Sequence, residues 1–164
     1  MTYRSEAEMY PAVVSWLQSV LKYRHRRDCV TAYNTSQTEL SRFLQQNDLH
    51  ALFPDYLTYE LQVDVTAIIH SPKAAKLAFV ECKLKPITLR DISQILGYSR
   101  VAKPLYSFII SPKGISQAVS YLLQTYQRFD VLEYEPGKRI KVATWSKERG
   151  EIIASSVLPP GEYL

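Results

Sequence analysis

The sequence has few of the residues that build thiol or imidazole metal sites. Its 2 cysteines, Cys29 and Cys82, are too few and too far apart for a disulfide framework or a four-thiolate metal site. Its 3 histidines, His25, His50 and His70, show no metal-ligand spacing, which argues against a zinc centre. We therefore expect both cysteines to be reduced, and any bound metal to rest on carboxylates.

The sequence also lacks the features of an exported or membrane-spanning chain. No stretch approaches the length of a membrane span, and the first residues are acidic where a signal peptide needs a basic start and an unbroken apolar run. Biased tracts and internal repeats are absent too, so we expect most of the chain to fold. These features predict a cytoplasmic protein without a membrane partner.

The composition fits a single domain over residues 1–164. Apolar residues make up 46% of the chain, enough for one core, and the length leaves no room for a second domain. The net charge of +4 favours a polyanionic partner. Part of the positive charge lies in one short segment, where Arg24, Arg26 and Arg27 either contact phosphates or complement the dipole at a helix end.

Hydrophobic periodicity predicts an alternation of helices and strands. Helices are expected over Ser5–Lys22, Ser36–Gln46, from Thr88 to about Val101, and over Ser116–Phe129; strands are expected over Cys29–Tyr33, Leu61–Ile69, Lys76–Leu84, Pro104–Ser111, Val131–Glu135 and Arg139–Trp145. The second and third strands should form a β-hairpin, and residues 76–111 a right-handed parallel crossover. Residues 34–58 are interpreted as an insertion. The order predicts an α/β fold with a mixed sheet flanked by helices.

Three charged residues on the predicted hairpin suggest chemistry. Alternation puts Glu81 and Lys83 on one face of their strand. Asp64 is the only charge in its own predicted strand, and a lone buried carboxylate is costly unless it is paired or bound to a metal. If the hairpin brings Asp64 opposite Glu81, the two carboxylates repel each other, and a hard divalent cation such as Mg²⁺ relieves that repulsion.

Such a site would have the parts needed to hydrolyse a phosphodiester. The metal would polarise the phosphate and supply a hydroxide-like nucleophile, while Lys83 would orient the attacking water or stabilise charge on the phosphoryl oxygens. The alternative is a structural ion pair of Glu81 and Lys83 without a metal. Asp55, which follows Pro54, is a rival acidic residue, but its surroundings are typical of a turn and favour Asp64.

These segments resemble the PD-(D/E)XK nuclease superfamily. The run VDVTAII followed by FVECKLK is similar to its D…(D/E)xK motif, Gln94 and Tyr98 match the QxxxY element of RecB-like members, and Glu8 matches their N-terminal acidic residue. The resemblance covers residues 5 to about 111. It implies a restriction-endonuclease-like core, of αβββαβ type, with a helical insertion.

The resemblance also implies roles for individual residues. Asp64 and Glu81 would bind Mg²⁺ or Mn²⁺, Lys83 would be catalytic, Glu8 would support the metal or its water, and Gln94 would act in the site. By the same resemblance Tyr98 would line the site and contact nucleic acid.

Several of these residues have structural alternatives. Glu8 stands three residues after Ser5, as in a capping box, and can serve as a cap. Gln94 and Tyr98 lie four apart on one helical face and can be a surface amide and a packed ring. Arg90 and Arg100 flank that helix and either contact phosphates or are solvated.

The leading prediction is a divalent-metal-dependent deoxyribonuclease, with an endonuclease of restriction or repair type favoured. The residues do not distinguish DNA from RNA as the partner. A homodimer would supply the two sites that double-strand cutting needs. The alternatives are a catalytically dormant nucleic-acid-binding module or subunit on the same fold, and a metal-free adaptor whose charges form ion pairs.

Overall fold

The computed structural model describes residues 2–164, which form a mixed six-stranded sheet with helices on both faces. The strands are β1 (Cys29–Asn34), β2 (Val65–His70), β3 (Ala75–Cys82), β4 (Tyr106–Ser111), β5 (Glu133–Glu135), β6 (Lys138–Arg139), β7 (Lys141–Ser146) and β8 (Glu151–Ile152). The helices are α1 (Tyr10–Arg24), α2 (Leu40–Gln46), α3 (Leu89–Ala102) and α4 (Gln117–Ser120). The α/β architecture predicted from the sequence is confirmed.

The sheet has the strand order β1-β2-β3-β4-β7-β8, while β5 and β6 pair separately. β1, β2 and β3 are antiparallel to one another, which confirms the predicted hairpin. β3, β4 and β7 are parallel, as predicted for β3 and β4, and β8 returns antiparallel to β7. The ends of β3, β4 and β7 and the beginning of β2 therefore share one side of the sheet, the carboxyl edge.

Two hydrophobic cores cover the two faces of this sheet. On one face, α1 packs against side chains of β2, β3, β4 and β7. There Trp16 lies edge-on to Phe108 and Trp145, at ring-centroid distances of 5.4 and 5.8 Å. On the other face, α2, α3 and α4 bury residues such as Leu44 and Ile95 against the alternate side chains of the same strands. The result is a three-layer fold, with helices on both faces of the sheet.

The strand β2 begins later than predicted, because the chain bends at Asp64. Because of this bend, the apolar residues before and after Asp64 lie on opposite faces of the sheet. Leu61 and Val63 are buried in the core beneath α2 and α3, whereas Val65 lies in the core beneath α1. The predicted single apolar face over Leu61–Ile69 is therefore wrong. Asp64 lies immediately before the first residue of β2 and not within the strand.

Other predicted elements also change at their ends. The first helix is preceded by a 3₁₀ turn, Glu6–Glu8; the second begins at Leu40; and the fourth continues from α4 as a π-helical turn, Tyr121–Thr125. The last predicted strand is split, so that β6 pairs with β5 while β7 joins the main sheet. The segment interpreted as an insertion packs Leu40, Leu44 and Phe53 into the core of the sheet. None of the helices within residues 2–164 is long and apolar enough to cross a membrane.

Candidate active site

Asp64 is held at the carboxyl edge by hydrogen bonds from three directions. The backbone N–H of Cys82 donates to its Oδ2 at 2.8 Å, and the Tyr10 hydroxyl donates to its Oδ1 at 2.9 Å. The backbone N–H of Asp64 in turn donates to Glu81 Oε1 at 3.3 Å. The ladder between β2 and β3 ends one position earlier, so the same register puts Asp64 opposite Glu81. The structure thus brings the two carboxyl groups together.

Glu81 is a buried carboxyl group beside a second one. Its side chain lies at the end of β3, and the residue is only 5% exposed. Burial, and then the charge of Asp64, raise the pKa of Glu81 to about 8, although Lys83 acts in the opposite direction. A divalent cation between Asp64 and Glu81 would offset both effects, because its positive charge stabilises the ionised form of the two carboxylates.

Lys83 lies directly beyond β3 and faces two acidic residues. Its Nζ is 3.7 Å from Glu81 Oε2 and 3.9 Å from Asp91 Oδ1. Asp91 is fixed by the capping box at the start of α3, where its Oδ2 accepts a hydrogen bond from the backbone N–H of Thr88 at 2.9 Å. The N-terminus of α3 therefore helps to hold the ammonium group next to the carboxylates.

The electrostatic surroundings keep Lys83 protonated. Burial alone would lower the pKa of Lys83, but the charges of Glu81, Glu6, Asp91 and Asp64 raise it above its ordinary value. An ammonium group that stays charged can stabilise negative charge on a phosphoryl oxygen.

Glu6, not Glu8, is the acidic residue of the N-terminal segment that faces this cluster. Burial raises the pKa of Glu6, and the charges of Lys83 and Asp64 both act on it. Glu8 is exposed, and its Oε2 accepts a hydrogen bond from the backbone N–H of Arg4 at 2.8 Å. The structure therefore does not bring Glu8 to the carboxylate pair, and its charge is not among those that act on Glu81 or Lys83. The predicted capping box is not formed, because Ser5 makes no side-chain cap and Glu8 accepts from the N–H of Arg4, one residue before Ser5.

The residues predicted on α3 lie at different distances from the site. Gln94 is exposed and follows Asp91 by three positions, so it lies on the same side of the helix, and its amide donates to the Tyr98 hydroxyl at 3.2 Å. Arg90 is exposed in the first turn of α3, beside Asp91. Arg100 is near the far end, where its guanidinium donates to the Glu133 carbonyl at 3.4 Å. Gln94 and Arg90 thus lie within one turn of Asp91 on α3, near the site, whereas Arg100 lies at the far end of the helix.

The basic segment at the end of α1 lies far from the carboxylates. Tyr10, which touches Asp64, is the first residue of α1, and Arg24 is the last. At about 1.5 Å per residue the helix separates them by roughly 20 Å. Arg26 stacks its guanidinium on the Tyr23 ring at 4.7 Å, and Arg27 lies in the exposed turn before β1. The structure does not bring Arg24, Arg26 and Arg27 to the site.

The oxygens at this edge fit a hard cation. Within residues 2–164 no group of three or more His, Cys, Asp or Glu side chains is arranged to hold an ion by itself. Mg²⁺ needs less, because it usually keeps several waters and takes one or two carboxylates from the protein. Asp64 and Glu81 supply those two carboxylates. This oxygen set suits Mg²⁺ or Mn²⁺.

Sequence reasoning missed three parts of this arrangement. Tyr10 and the Cys82 amide hold Asp64, and Asp91 holds Lys83, but none of these contacts was predicted from the sequence. The Thr88-x-x-Asp91 spacing was the one available signal, because a capping box fixes an acidic side chain at a helix start. Comparisons with models of known protein families, with curated proteins and with solved structures find no match to this chain.

Proposed function

We propose that this protein is a Mg²⁺- or Mn²⁺-dependent nuclease that hydrolyses phosphodiester bonds in DNA, acting as an endonuclease on a restriction-endonuclease-like core. One observation carries the proposal: the buried Glu81 lies opposite Asp64, with the Lys83 ammonium 3.7 Å away. Burial of Glu81 beside a second carboxyl group has little structural benefit, because burial and the charge of Asp64 both raise the cost of ionising Glu81. Binding of a divalent metal and an anionic substrate would explain the arrangement, because the metal stabilises the two carboxylates and the ammonium group of Lys83 attracts the substrate.

Each residue of the site has a role in this reaction. Asp64 and Glu81 would hold the metal, which would polarise the phosphate and lower the pKa of a bound water, so that the water could lose a proton and supply hydroxide as the nucleophile. The Tyr10 hydroxyl and the Cys82 amide keep the Asp64 carboxylate in one orientation. Lys83 would donate a hydrogen bond to the attacking water or to a phosphoryl oxygen, where negative charge builds up.

A second function is favoured by a specific observation. Lys83 already compensates Glu81 and Asp91 in part, and no third ligating side chain joins the carboxylate pair within the described residues. Such a network can serve as a structural ion-pair cluster in a nucleic-acid-binding module that does not cut. The two functions differ in one measurable property, which is the affinity of the carboxylate pair for a divalent cation.

The direct test is cleavage by the purified chain. Labelled linear, single-stranded, circular and four-way-junction DNA, and matched RNA, are incubated with Mg²⁺, Mn²⁺ or EDTA. We expect cleavage with either metal and none in EDTA. Supercoiled circular DNA adds information on assembly: nicked circles that appear before linear molecules indicate one site acting at a time, whereas direct linearisation indicates a homodimer. Calorimetric binding of Mn²⁺ without any cleavage would favour a different reaction, and absence of both would favour the binding module.

The two neighbouring glutamates make a matched pair of variants. Glu6→Gln should reduce the metal-dependent cleavage rate by about tenfold, because a charge that acts on both Lys83 and Asp64 is lost. Glu8→Gln should leave the rate unchanged, since Glu8 is exposed and bonds only to the Arg4 amide. The measurement is the initial rate at saturating Mg²⁺. The reverse order of effects would restore the sequence-based assignment of Glu8.

A further inference from the structure

A groove opens at the carboxyl edge, and its lining includes Leu84, the residue that follows Lys83. Its volume is about 620 Å³, and its walls come from the segments that follow β3, β4 and β7. Leu84 and Lys85 form the wall nearest the carboxylate pair, because they continue the chain from Lys83. Tyr3 and Trp145 lie at the other side. The groove is thus continuous along the chain with the candidate active site.

The groove is basic. Lys85, Lys113 and Lys147 line it, against the single acidic side chain of Glu148, and all four residues are exposed. Among residues 2–164, none of these three lysines forms an ion pair with a carboxylate of the chain. Lys147 places its ammonium 4.5 Å from the centre of the Tyr3 ring. Three cations without internal counter-charges in one concave surface favour an anionic ligand.

The backbone that carries the lysines is fixed from within the protein. The buried Ser111 hydroxyl donates to the Lys85 carbonyl at 2.8 Å and accepts from the Lys113 N–H at 3.1 Å. On the other wall, the indole N–H of Trp145 donates to the Tyr3 hydroxyl at 3.0 Å. One buried side chain therefore sets the relative positions of two lysine-bearing segments, which makes the groove a built surface and not a chance gathering of lysines.

The spacing of the lysine-bearing segments matches one strand of nucleic acid. β3, β4 and β7 are consecutive neighbours in the sheet, and neighbouring strands lie about 4.8 Å apart, so the segments after them span roughly 10 Å. Phosphates of one strand in B-form DNA follow each other about every 3.4 Å of axis and are less dense along an unpaired strand, so three lysines over this span can contact up to three phosphates. The groove volume lies within the range of about 300 to 1,000 Å³ typical of small-ligand sites. The roughly 10 Å span of the lysine-bearing segments is smaller than the width of a duplex major groove alone, about 12 Å, so the groove admits one strand and not an intact duplex.

From this geometry we propose that the groove binds a single-stranded segment of nucleic acid through its phosphates and leads it to Asp64, Glu81 and Lys83. The inference rests on the proposed nuclease function and adds the substrate class: a strand end, flap or other unpaired region, not intact duplex. Lys85, next to Lys83 in the chain, contacts the phosphate nearest the site, and Lys147 contacts the farthest. The ligand chemistry is a phosphodiester backbone, so DNA and RNA oligonucleotides are separate arms of the test.

Binding is measured by fluorescence anisotropy in EDTA, with a labelled single-stranded oligonucleotide and a blunt duplex of equal length. We expect the single strand to bind at least about tenfold more tightly than the duplex. The Kd for the single strand should rise with salt concentration. A plot of log Kd against log salt should have a slope near 2, because each of the three phosphate contacts contributes about 0.7. Single Lys→Gln changes at positions 85, 113 and 147 should each weaken binding about threefold to tenfold and lower that slope by about 0.7.

Lys73→Gln is the matched control, because Lys73 is an equally exposed lysine in the turn between β2 and β3, at the opposite edge of the sheet. Its affinity and salt slope should equal those of the wild type. Equal or tighter binding of the duplex, or unchanged affinity in all three groove variants, would overturn the groove assignment even if the protein cuts DNA. Groove-dependent binding without any metal-dependent cleavage would instead overturn the nuclease and leave the groove standing.

Discussion

Replacement of Lys83 by alanine should lower metal-dependent cleavage by about 10²- to 10³-fold, the size of effect seen when a single preorganised donor to a developing oxyanion is removed. Lys83 is the only side chain in the candidate site that combines a fixed position, between Glu81 and Asp91, with a retained positive charge. The loss should fall on kcat, because the hydrogen bond to the phosphoryl oxygen strengthens only as charge develops there.

The fold should survive this substitution. Lys83 is half-buried and follows β3, and its backbone N–H, which bonds the Ile110 carbonyl at 2.9 Å, is retained in alanine. Glu81 loses a partner but can take up a proton, since its pKa is already raised. The measurement is the cleavage rate and the thermal unfolding midpoint of Lys83→Ala beside Lys73→Ala, an exposed lysine at the other edge of the sheet. A rate within a factor of two of wild type would remove Lys83 from the chemistry.

The pairing of Asp64 with Glu81 could be predicted from the sequence because it depends on local rules. A short turn between two apolar strands forces a hairpin, and the alternation of side chains along β3 is then set by geometry. Phe79 is buried on the face of α3, and Val80 on the face of α1, as the period of two requires. In the register of β2 and β3, Val65 pairs with Val80, so the next pair of opposite residues is Asp64 and Glu81.

The surroundings of that pair depend on contacts between distant segments, and these left little local signal. The bend at Asp64 is fixed by the Tyr10 hydroxyl from α1 and by the Cys82 amide. Neither is visible in the apolar run around Asp64, which reads as one strand. The sequence also did not indicate that Glu6, and not Glu8, faces the cluster. A single α-helix was predicted from Ser5, whereas Glu6–Glu8 form a 3₁₀ turn, which has three residues per turn and so orients its side chains differently.

The groove lysines could not be grouped from the sequence because they come from three separate segments. Lys85, Lys113 and Lys147 meet only when β3, β4 and β7 become parallel neighbours. The sequence predicted one continuous strand over Arg139–Trp145, whereas the pairing of β7 with β4 depends on a split at Ile140, a fully buried residue between β6 and β7. The Arg24 to Arg27 segment was more conspicuous in the sequence, yet α1 carries it away from the site.

Replacement of Glu81 by glutamine should stabilise the metal-free protein at alkaline pH and remove its response to metal. In the folded chain the pKa of Glu81 is raised to about 8 from an ordinary value of 4.5. The folded state therefore binds a proton that the unfolded state has released, and its stability falls as pH rises between these two values. The slope due to Glu81 approaches about 1.4 kcal/mol per pH unit, and it vanishes in Glu81→Gln, which cannot ionise.

The measurement is the free energy of unfolding in urea at pH 5 and pH 8, in EDTA and in Mg²⁺, with Glu60→Gln as an exposed control. In EDTA, Glu81→Gln should match wild type within about 1 kcal/mol at pH 5 and exceed it by a few kcal/mol at pH 8. Mg²⁺ at about 100 times its Kd should add about 2.7 kcal/mol to wild type at pH 8 and much less to Glu81→Gln. Parallel curves for the two proteins would mean that Glu81 ionises freely without metal. In that case the repulsion between Asp64 and Glu81, which motivates the metal, would be absent.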